Sequence, residues 1–215
     1  VYKLPISLSI FAKNNEDSLE LTIKSVIDIV NEFVLVDTGS TDKTIQIAKD
    51  YGARVYKVGF TDFGSIRTLA LHLAREEWVL SLDSDEIINR SEIIHFIPML
   101  SRDDLDAWGL PRRRWADLKM KQQVEKDAYP DWQYRLVRNK PYMYYKYRVH
   151  ESLDGARNTS INIFGPHIEH FQDVFKYGNK LKQRNQLYKE LYELDLKDNI
   201  HHNIPAVADI DLKKE

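Results

Sequence analysis

The sequence predicts an α/β fold: a mixed sheet, mostly parallel in its N-terminal half, with helices on its flanks. Three observations carry that prediction. Short apolar runs alternate with helical stripes as far as Leu82, the alternation that produces right-handed crossovers and parallel pairing. Polar clusters at Lys13-Asn14, Asp37 to Asp42 and Asp83 to Glu86 fall where those runs end. Beyond about residue 100 the pattern changes to strand-like runs joined by turns.

Ile6 to Ala12 reads as a buried strand that stops at Lys13-Asn14-Asn15. Leu19, Ile23, Val26, Ile27 and Val30 then recur at the spacing of one helix face. Glu32 to Val36 is a second strand, and Asp37-Thr38-Gly39-Ser40-Thr41-Asp42 is a turn into the next helix. Ser40 or Thr41 is the expected N-cap, with Asp42 in the first turn. Arg54 to Val58 is a third strand; Ile66, Leu69, Ala70 and Leu73 mark a helix. Glu77 to Leu82 is a fourth strand, running straight into Asp83-Ser84-Asp85-Glu86. In the second half, strands are expected over Trp108 to Trp115, Tyr134 to Arg138, Tyr144 to His150 and Ser160 to Phe164. Turns such as Asn139-Lys140-Pro141 and Asp154-Gly155 link them. This half is expected to be partly antiparallel and to cover the open face of the sheet. Lys176 to Leu196 returns to helix, with Leu181, Tyr188, Leu191 and Tyr192 available for one face. One domain is expected over residues 1–200, divided at about residue 100 and again before a helix over 176–200, with a tail over 201–215.

Bulk composition narrows the function. Lys and Arg number 31 against 33 for Asp and Glu, so no basic excess points to a nucleic-acid partner. Cysteine is absent, which excludes disulfides, thiolate zinc sites and cysteine nucleophiles. No apolar run approaches the ~20 residues needed to span a bilayer. The start, Val1-Tyr2-Lys3-Leu4-Pro5, has no signal-peptide layout, and its missing Met suggests excision from a longer chain. A cytoplasmic protein, with room for a peripheral membrane association, is the expectation.

Ligands of such sheets bind beyond the carboxyl ends of the strands, which is where the three polar clusters lie. Asp83 and Asp85 stand two apart; in extended chain both carboxylates would face one way, toward a hard divalent cation. The plain alternative is a turn or helix cap. Capping accounts for Ser40, Thr41 and Asp42, whereas Asp37 ends a buried strand and can accept from a base or ribose. Arg67, near the start of its helix, is either solvated or a diphosphate contact. Glu151 closes Tyr147-Arg148-Val149-His150-Glu151 and is the candidate general base, with Asp131 in reserve. His167 and His170 flank Ile168-Glu169, and either could reach a metal or diphosphate. Arg112-Arg113-Arg114 precede Trp115; in a strand Arg113 faces away from the other two. That group suits a sugar or phosphate-bearing acceptor, or simply a solvated edge strand.

Ser7-Leu8-Ser9-Ile10-Phe11-Ala12-Lys13-Asn14, Val36-Asp37-Thr38-Gly39-Ser40-Thr41-Asp42-Lys43-Thr44 and Leu82-Asp83-Ser84-Asp85-Glu86 together resemble family 2 glycosyltransferases in order and spacing. Arg135-Leu136-Val137-Arg138, Val149-His150-Glu151 and a later His are similar, less specifically, to the subgroup with lipopolysaccharide-core and peptide glycosyltransferases. The resemblance implies a GT-A (Rossmann-like) fold, an inverting mechanism and Mn2+ or Mg2+. It makes 1–100 the nucleotide-sugar-binding half and 101–175 the acceptor-side half. Ala12, Lys13, Asn14, Asp37, Arg67, Asp83 and Ser84 would line the donor site, with Asp37 on the nucleoside and Arg67 on the phosphates. Asp85 would hold the metal, with Asp83 near ribose or metal and His170 as a further metal ligand, and Glu151 falls roughly where the family keeps its catalytic base. A UDP-sugar is the expected donor and a glycan, lipid-linked or peptide molecule the acceptor. Many members carry two acids where this chain has Asp37-Thr38, so the base is not set by these motifs. Two alternatives stand: a nucleotidyltransferase, which should show a glycine-rich basic loop after the first strand, and a non-catalytic sugar-nucleotide or glycan-binding domain.

Overall fold

The computed structural model describes residues 3–124, 129–175 and 178–198, together with the backbone of 213–214. Its first half alternates β1 (Leu4–Ala12), α1 (Leu19–Val26), β2 (Val30–Asp37), α2 (Thr44–Asp50), β3 (Arg54–Lys57), α3 (Phe63–His72) and β4 (Trp78–Ser81). The order β3-β2-β1-β4 is parallel throughout. Period-two alternation divides β1: Ile6, Leu8 and Ile10, all 0% exposed, pack with Leu19 and Ile23 of α1. The other face of the sheet meets α3, where Ile66, Leu69 and Ala70 bury against Val36 and Phe11. Helices therefore flank both faces, and the carboxyl ends of β1, β2 and β4 open on one side. Val30, expected on the α1 stripe, begins β2 instead, because α1 stops at Val26.

The second half contains β5 (Glu86–Ile88), a 3-10 turn (Arg90–His95), α4 (Phe96–Leu100), β6 (Ala107–Trp115), β7 (Gln123–Val124) and β8 (Asp131–Arg138). It continues with β9 (Tyr144–Lys146), β10 (Ser152–Asp154), β11 (Thr159–Ile161), β12 (Ile168–His170), α5 (Gln172–Phe175) and α6 (Gly178–Asp198). This half extends the sheet sideways, in the order β4-β8-β6-β12-β5, and does not cover its face as expected. The physical reason is the free edge of β4, whose backbone groups are satisfied by antiparallel β8, Leu80 facing Leu136. β12 runs parallel to β6 and antiparallel to β5. β6, proposed above as an edge strand, therefore lies inside the sheet between β8 and β12. β9 and β10 form a separate hairpin, and β13 (Lys213–Lys214) pairs antiparallel with β3.

The expected strand from Tyr144 to His150 ends at Lys146, since Tyr147 (φ 72) and His150 (φ 54) take left-handed backbone. Ser160 to Phe164 shortens to β11, and the expected C-terminal helix is α6 preceded by the short α5. Lys176 and Tyr177 lie outside the described residues, as does the expected tail apart from 213–214. Among the described residues, no helix is long and apolar enough to cross a membrane.

Candidate active site

Loops following β1 and β2 brace one another. Thr38 N–H donates to Ala12 C=O (3.0 Å), Asn14 N–H to Ser40 Oγ (3.0 Å), and Thr41 N–H to Asn14 Oδ1 (2.8 Å). Asn14 sits at φ 54, a region asparagine tolerates better than most residues. Ser40 and Thr41 are thus committed to the β1 loop and do not cap α2. That helix begins two residues later than a Thr41 cap would place it, with Lys43 at its N-cap position and Asp42 Oδ1 accepting from Thr44 N–H (2.9 Å). Asp37 is buried, and its carboxylate accepts from the N–H groups of Gly39 and Ser40, each at 3.0 Å. Lys13 is exposed beside it.

Beyond β4 the chain does not remain extended. Glu86 N–H donates to Asp83 C=O (3.0 Å), closing a turn that reverses the chain into β5. Asp83 and Asp85 consequently do not share one face, contrary to the extended geometry expected above. Asp83 opens toward α3 and β8, while Asp85 (1% exposed) turns toward β12. There His170 Nε2 lies 3.5 Å from Asp85 Oδ1, and Phe171 N–H donates to Asp85 C=O (2.9 Å). Ser84 is buried in the same turn.

Arg67 is 2% exposed and joins the parts. Its Nε and Nη2 donate to Glu151 Oε1 (2.8 and 2.6 Å), Nη1 to Ser81 Oγ (2.9 Å) and Nη2 to Asp83 Oδ1 (2.5 Å). Its guanidinium carbon stands 4.8 Å from the Phe11 ring centroid and 5.6 Å from that of Tyr145. Glu151 reaches this position because its segment is pressed against α3. Phe63 N–H donates to Arg148 C=O (3.0 Å), Tyr145 N–H donates to Thr68 Oγ1 (2.8 Å), and a Cβ at Gly64 would meet Tyr147 O at 2.4 Å.

A chain of alternating charge continues from there. Arg135 Nη2 donates to Asp83 Oδ2 (3.0 Å) and Glu86 Oε1 (3.3 Å). Arg112 donates to Glu86 Oε1 (3.2 Å) and to Asp131 Oδ2 (2.8 Å from Nε). The two candidate bases, Glu151 and Asp131, therefore stand at opposite ends of one ion-pair network. Burial works against the charged forms, but the carboxylates Asp83 and Glu151 outweigh it and raise the Arg67 pKa. The Arg112 pKa rises for the same reason, through Glu86 and Asp131. Burial also opposes ionisation of Asp83, yet Arg135 and Arg67 hold that carboxyl well below the usual range.

One ligand atom from each of Asp83, Glu86 and His170 lies within 4.8 Å of the others. His170 Nδ1 is buried without a hydrogen-bond partner among the described residues, an orphaned donor or acceptor in a nest of carboxylates. That chemistry fits a divalent cation taking oxygen and imidazole ligands. Glu86 is the least available of the carboxylates, since it accepts from the Asp83 N–H (2.9 Å) as well as from both arginines.

His167 falls elsewhere, paired with Glu92 (3.0 Å) and with the Tyr129 hydroxyl (3.0 Å). Arg113 and Trp115 share the buried Glu169, Trp115 Nε1 at 2.5 Å, and Arg114 pairs with Asp173 at 2.9 Å. Arg113 does face away from its neighbours, but these residues hold β6 to β12 and α5. Two contributors escaped the sequence, Arg135 and Glu86, while Arg112 was read only as an acceptor contact or part of a solvated edge strand. Arg135 lay inside a quoted motif and Glu86 ended another. An arginine directly before the apolar pair Leu136-Val137, inside an expected strand, was the available signal for Arg135.

The sequence model of Glycosyl transferase family 2 matches residues 7–164. An uncharacterized glycosyltransferase of Rickettsia bellii is 34% identical over 85 residues, 40% of this chain and 29% of that protein. The lipopolysaccharide core biosynthesis glycosyltransferase LpsC of Rhizobium meliloti is 28% identical over 118 residues, 52% of this chain and 43% of that protein. This chain spans only 29% to 36% of the length of the first relatives of this kind. Among solved structures, TarS of S. aureus in complex with UDP-GlcNAc superposes with a TM-score of 0.63 over 95% of this chain and 69% of that one. At 16% identity that likeness is one of fold. With the family pattern running through both halves of a GT-A sheet, the chain belongs to the family 2 glycosyltransferases.

Proposed function

We propose that the chain is an inverting, metal-dependent transferase moving a sugar from a nucleotide-sugar donor, a UDP-sugar, to a glycan, lipid-linked or peptide acceptor. The observation that carries this is the convergence of Arg67, Asp83, Asp85, Glu151 and His170 at the carboxyl end of β4. Fold likeness to TarS, which is described with UDP-GlcNAc, supports the donor class. Resemblance to a lipopolysaccharide core enzyme supports a glycan or lipid-linked acceptor. With no helix of the described residues able to span a bilayer, cytoplasmic action, peripheral to a membrane, is the setting proposed.

Asp85, His170 and Asp83 would hold Mn2+ or Mg2+, which when bound neutralises charge developing on a leaving diphosphate. Ala12, Lys13, Asn14 and Asp37 line the strand ends where a nucleoside would lie, with Ser84 below. Arg67 orients the two acids Asp83 and Glu151. It contacts the donor phosphates only by exchanging Glu151 for a phosphate oxygen. Both Arg67 bonds to Glu151 fall on Oε1, so Oε2 is the atom to take the acceptor's proton as the new bond forms. Asp131, half-exposed and tied to Arg112 (2.6 Å), is the reserve. A nucleotidyltransferase is disfavoured by the loop after β1, Lys13-Asn14-Asn15-Glu16-Asp17, which has no glycine for a triphosphate.

The test is a thermal-shift and donor-hydrolysis panel of UDP-, GDP-, dTDP- and CMP-sugars with and without Mn2+, on the native chain and Asp85→Ala. A Mn2+-dependent shift with one nucleotide, release of nucleoside diphosphate and no turnover by a folded Asp85→Ala are expected. Release of pyrophosphate would convert the assignment to nucleotidyl transfer. Normal turnover in Asp85→Ala would remove the metal site.

A further inference from the structure

Helix α6 turns one stripe inward: Leu181, Arg184, Leu187, Tyr188, Leu191 and Asp195 are buried or half-buried, at the spacing of a single face. Two of these carry charge, and they differ. Asp195 accepts from the Arg148 backbone N–H (2.9 Å) and from Nη1 (3.3 Å). Arg184 has no such partner among the described residues. Its Nε and Nη1 are buried without a hydrogen bond, and Nη2 reaches only the adjacent Asn185 Oδ1 (3.0 Å). The guanidinium lies over the Tyr188 ring, 5.1 Å from its centroid.

Contacts one turn to either side locate it. Lys180 pairs with Asp17 (3.2 Å), in the loop leaving β1. Tyr188 meets the rings of Phe63 (5.1 Å) and His150 (5.7 Å), and Phe63 in turn meets Phe11 (6.2 Å), the residue beneath Arg67. Arg184 therefore sits between the β1 loop and the start of α3, on the side where the strands end. Dehydrated guanidinium donors cost free energy until an acceptor arrives, and their planar fork matches phosphate oxygens. Arg67 cannot supply that fork without releasing Ser81, Asp83 or Glu151, whereas Arg184 has its donors in hand.

We propose that Arg184 binds the diphosphate of the nucleotide-sugar donor, so that α6 forms one wall of the donor site. The proposal rests on the sugar-nucleotide reading above. A phosphate on the acceptor would present the same chemistry, and the measurements separate the two sources. Titration calorimetry with Mn2+ compares UDP and uridine on the native chain, Arg184→Ala and Arg184→Lys, alongside urea melts and steady-state transfer. UDP affinity should fall about tenfold or more in Arg184→Ala, recover partly in Arg184→Lys, and uridine affinity should not change. Donor KM should rise with acceptor KM constant. UDP binding to Arg184→Ala at native affinity overturns the proposal, whether or not the melt shifts. A rise confined to acceptor KM also overturns it and gives Arg184 to an acceptor phosphate. Failure of the native chain itself to bind UDP, GDP or dTDP removes the sugar-nucleotide reading and the proposal with it, an outcome distinct from the variant result.

Discussion

The two halves of the sheet are held together on opposite terms. In β1 to β4 the buried positions are apolar or hydroxyl-bearing, with Ile6, Leu8, Leu35 and Leu80 all at 0% exposure, and the one buried charge on these strands, Asp37, stands at the end of β2. In β5 to β12 the interior carries Glu86, Arg135, Arg138, Glu169 and His170, each exposed by 5% or less. Apolar burial is non-directional and survives small displacements. A buried ion-pair chain requires every member, because removing one strands its neighbours in a low dielectric. The parallel half thus supplies a tolerant platform, and the second half supplies side chains whose positions are narrowly determined.

The largest effect that could break this contrast is catalytic. If proton removal belongs to the second half's network at its Glu151 end, Glu151→Gln should lower transfer by about a thousandfold with donor binding retained. Asp131→Asn should change it far less. Transfer rates measured with both variants decide the matter, and the reverse ranking would move the base to the Arg112 end. Next come the scaffolds themselves, compared by urea unfolding. Leu80→Ala should cost about 3 kcal/mol. Arg135→Ala, which leaves Asp83 and Glu86 without their shared cation, should cost about 4 kcal/mol. An Arg135→Ala cost below 1 kcal/mol, on the order of a surface pair, would end the distinction between the halves.

The smallest effect concerns the parallel half's own exception. Burial pushes the Glu32 carboxyl up, but the Ser7 hydroxyl, the Arg75 N–H and Arg54 together hold it below its ordinary value. A depressed native pKa contributes stability above the unfolded value of about 4.3, and that contribution is lost as pH falls through the native value. Glu32→Gln should therefore cost about 1 kcal/mol at neutral pH and flatten the decline of stability below pH ~4. An unchanged acid limb would show the cluster to be inert.

This contrast also explains what was legible in the sequence. Strands β1 to β4 declared themselves because Ile6-Leu8-Ile10 and Val34-Leu35-Val36 are apolar runs set off by polar loops, and the residues proposed for the donor site fell at their ends. Glu86–Ile88 and Ile168–His170 escaped notice as strands, being three residues long and carrying buried charge, with no periodicity to detect. Propensity pointed to Ser40 or Thr41 as a cap, and it was overridden by bonds to Asn14 from 26 and 27 residues away. Asp83 and Asp85 were singled out from the sequence, but the turn separating them depends on where Arg135 and His170 arrive. Glu151 was singled out from its local motif, while its partner Arg67 lies 84 residues earlier, a pairing beyond any local signal.

The pairing of β12 with β5 carries a consequence for how the protein folds. His170 lies opposite Glu86 across that ladder, so Asp85 acquires its imidazole neighbour from a strand more than eighty positions downstream. Contacts of such long separation form late, after loop closure has been achieved. The parallel half can therefore collapse early while the proposed cation site remains unmade. In a refolding experiment, metal affinity should appear in a slower phase than exchange protection of the β1–β2 backbone amides, whose parallel ladder lies within the first half.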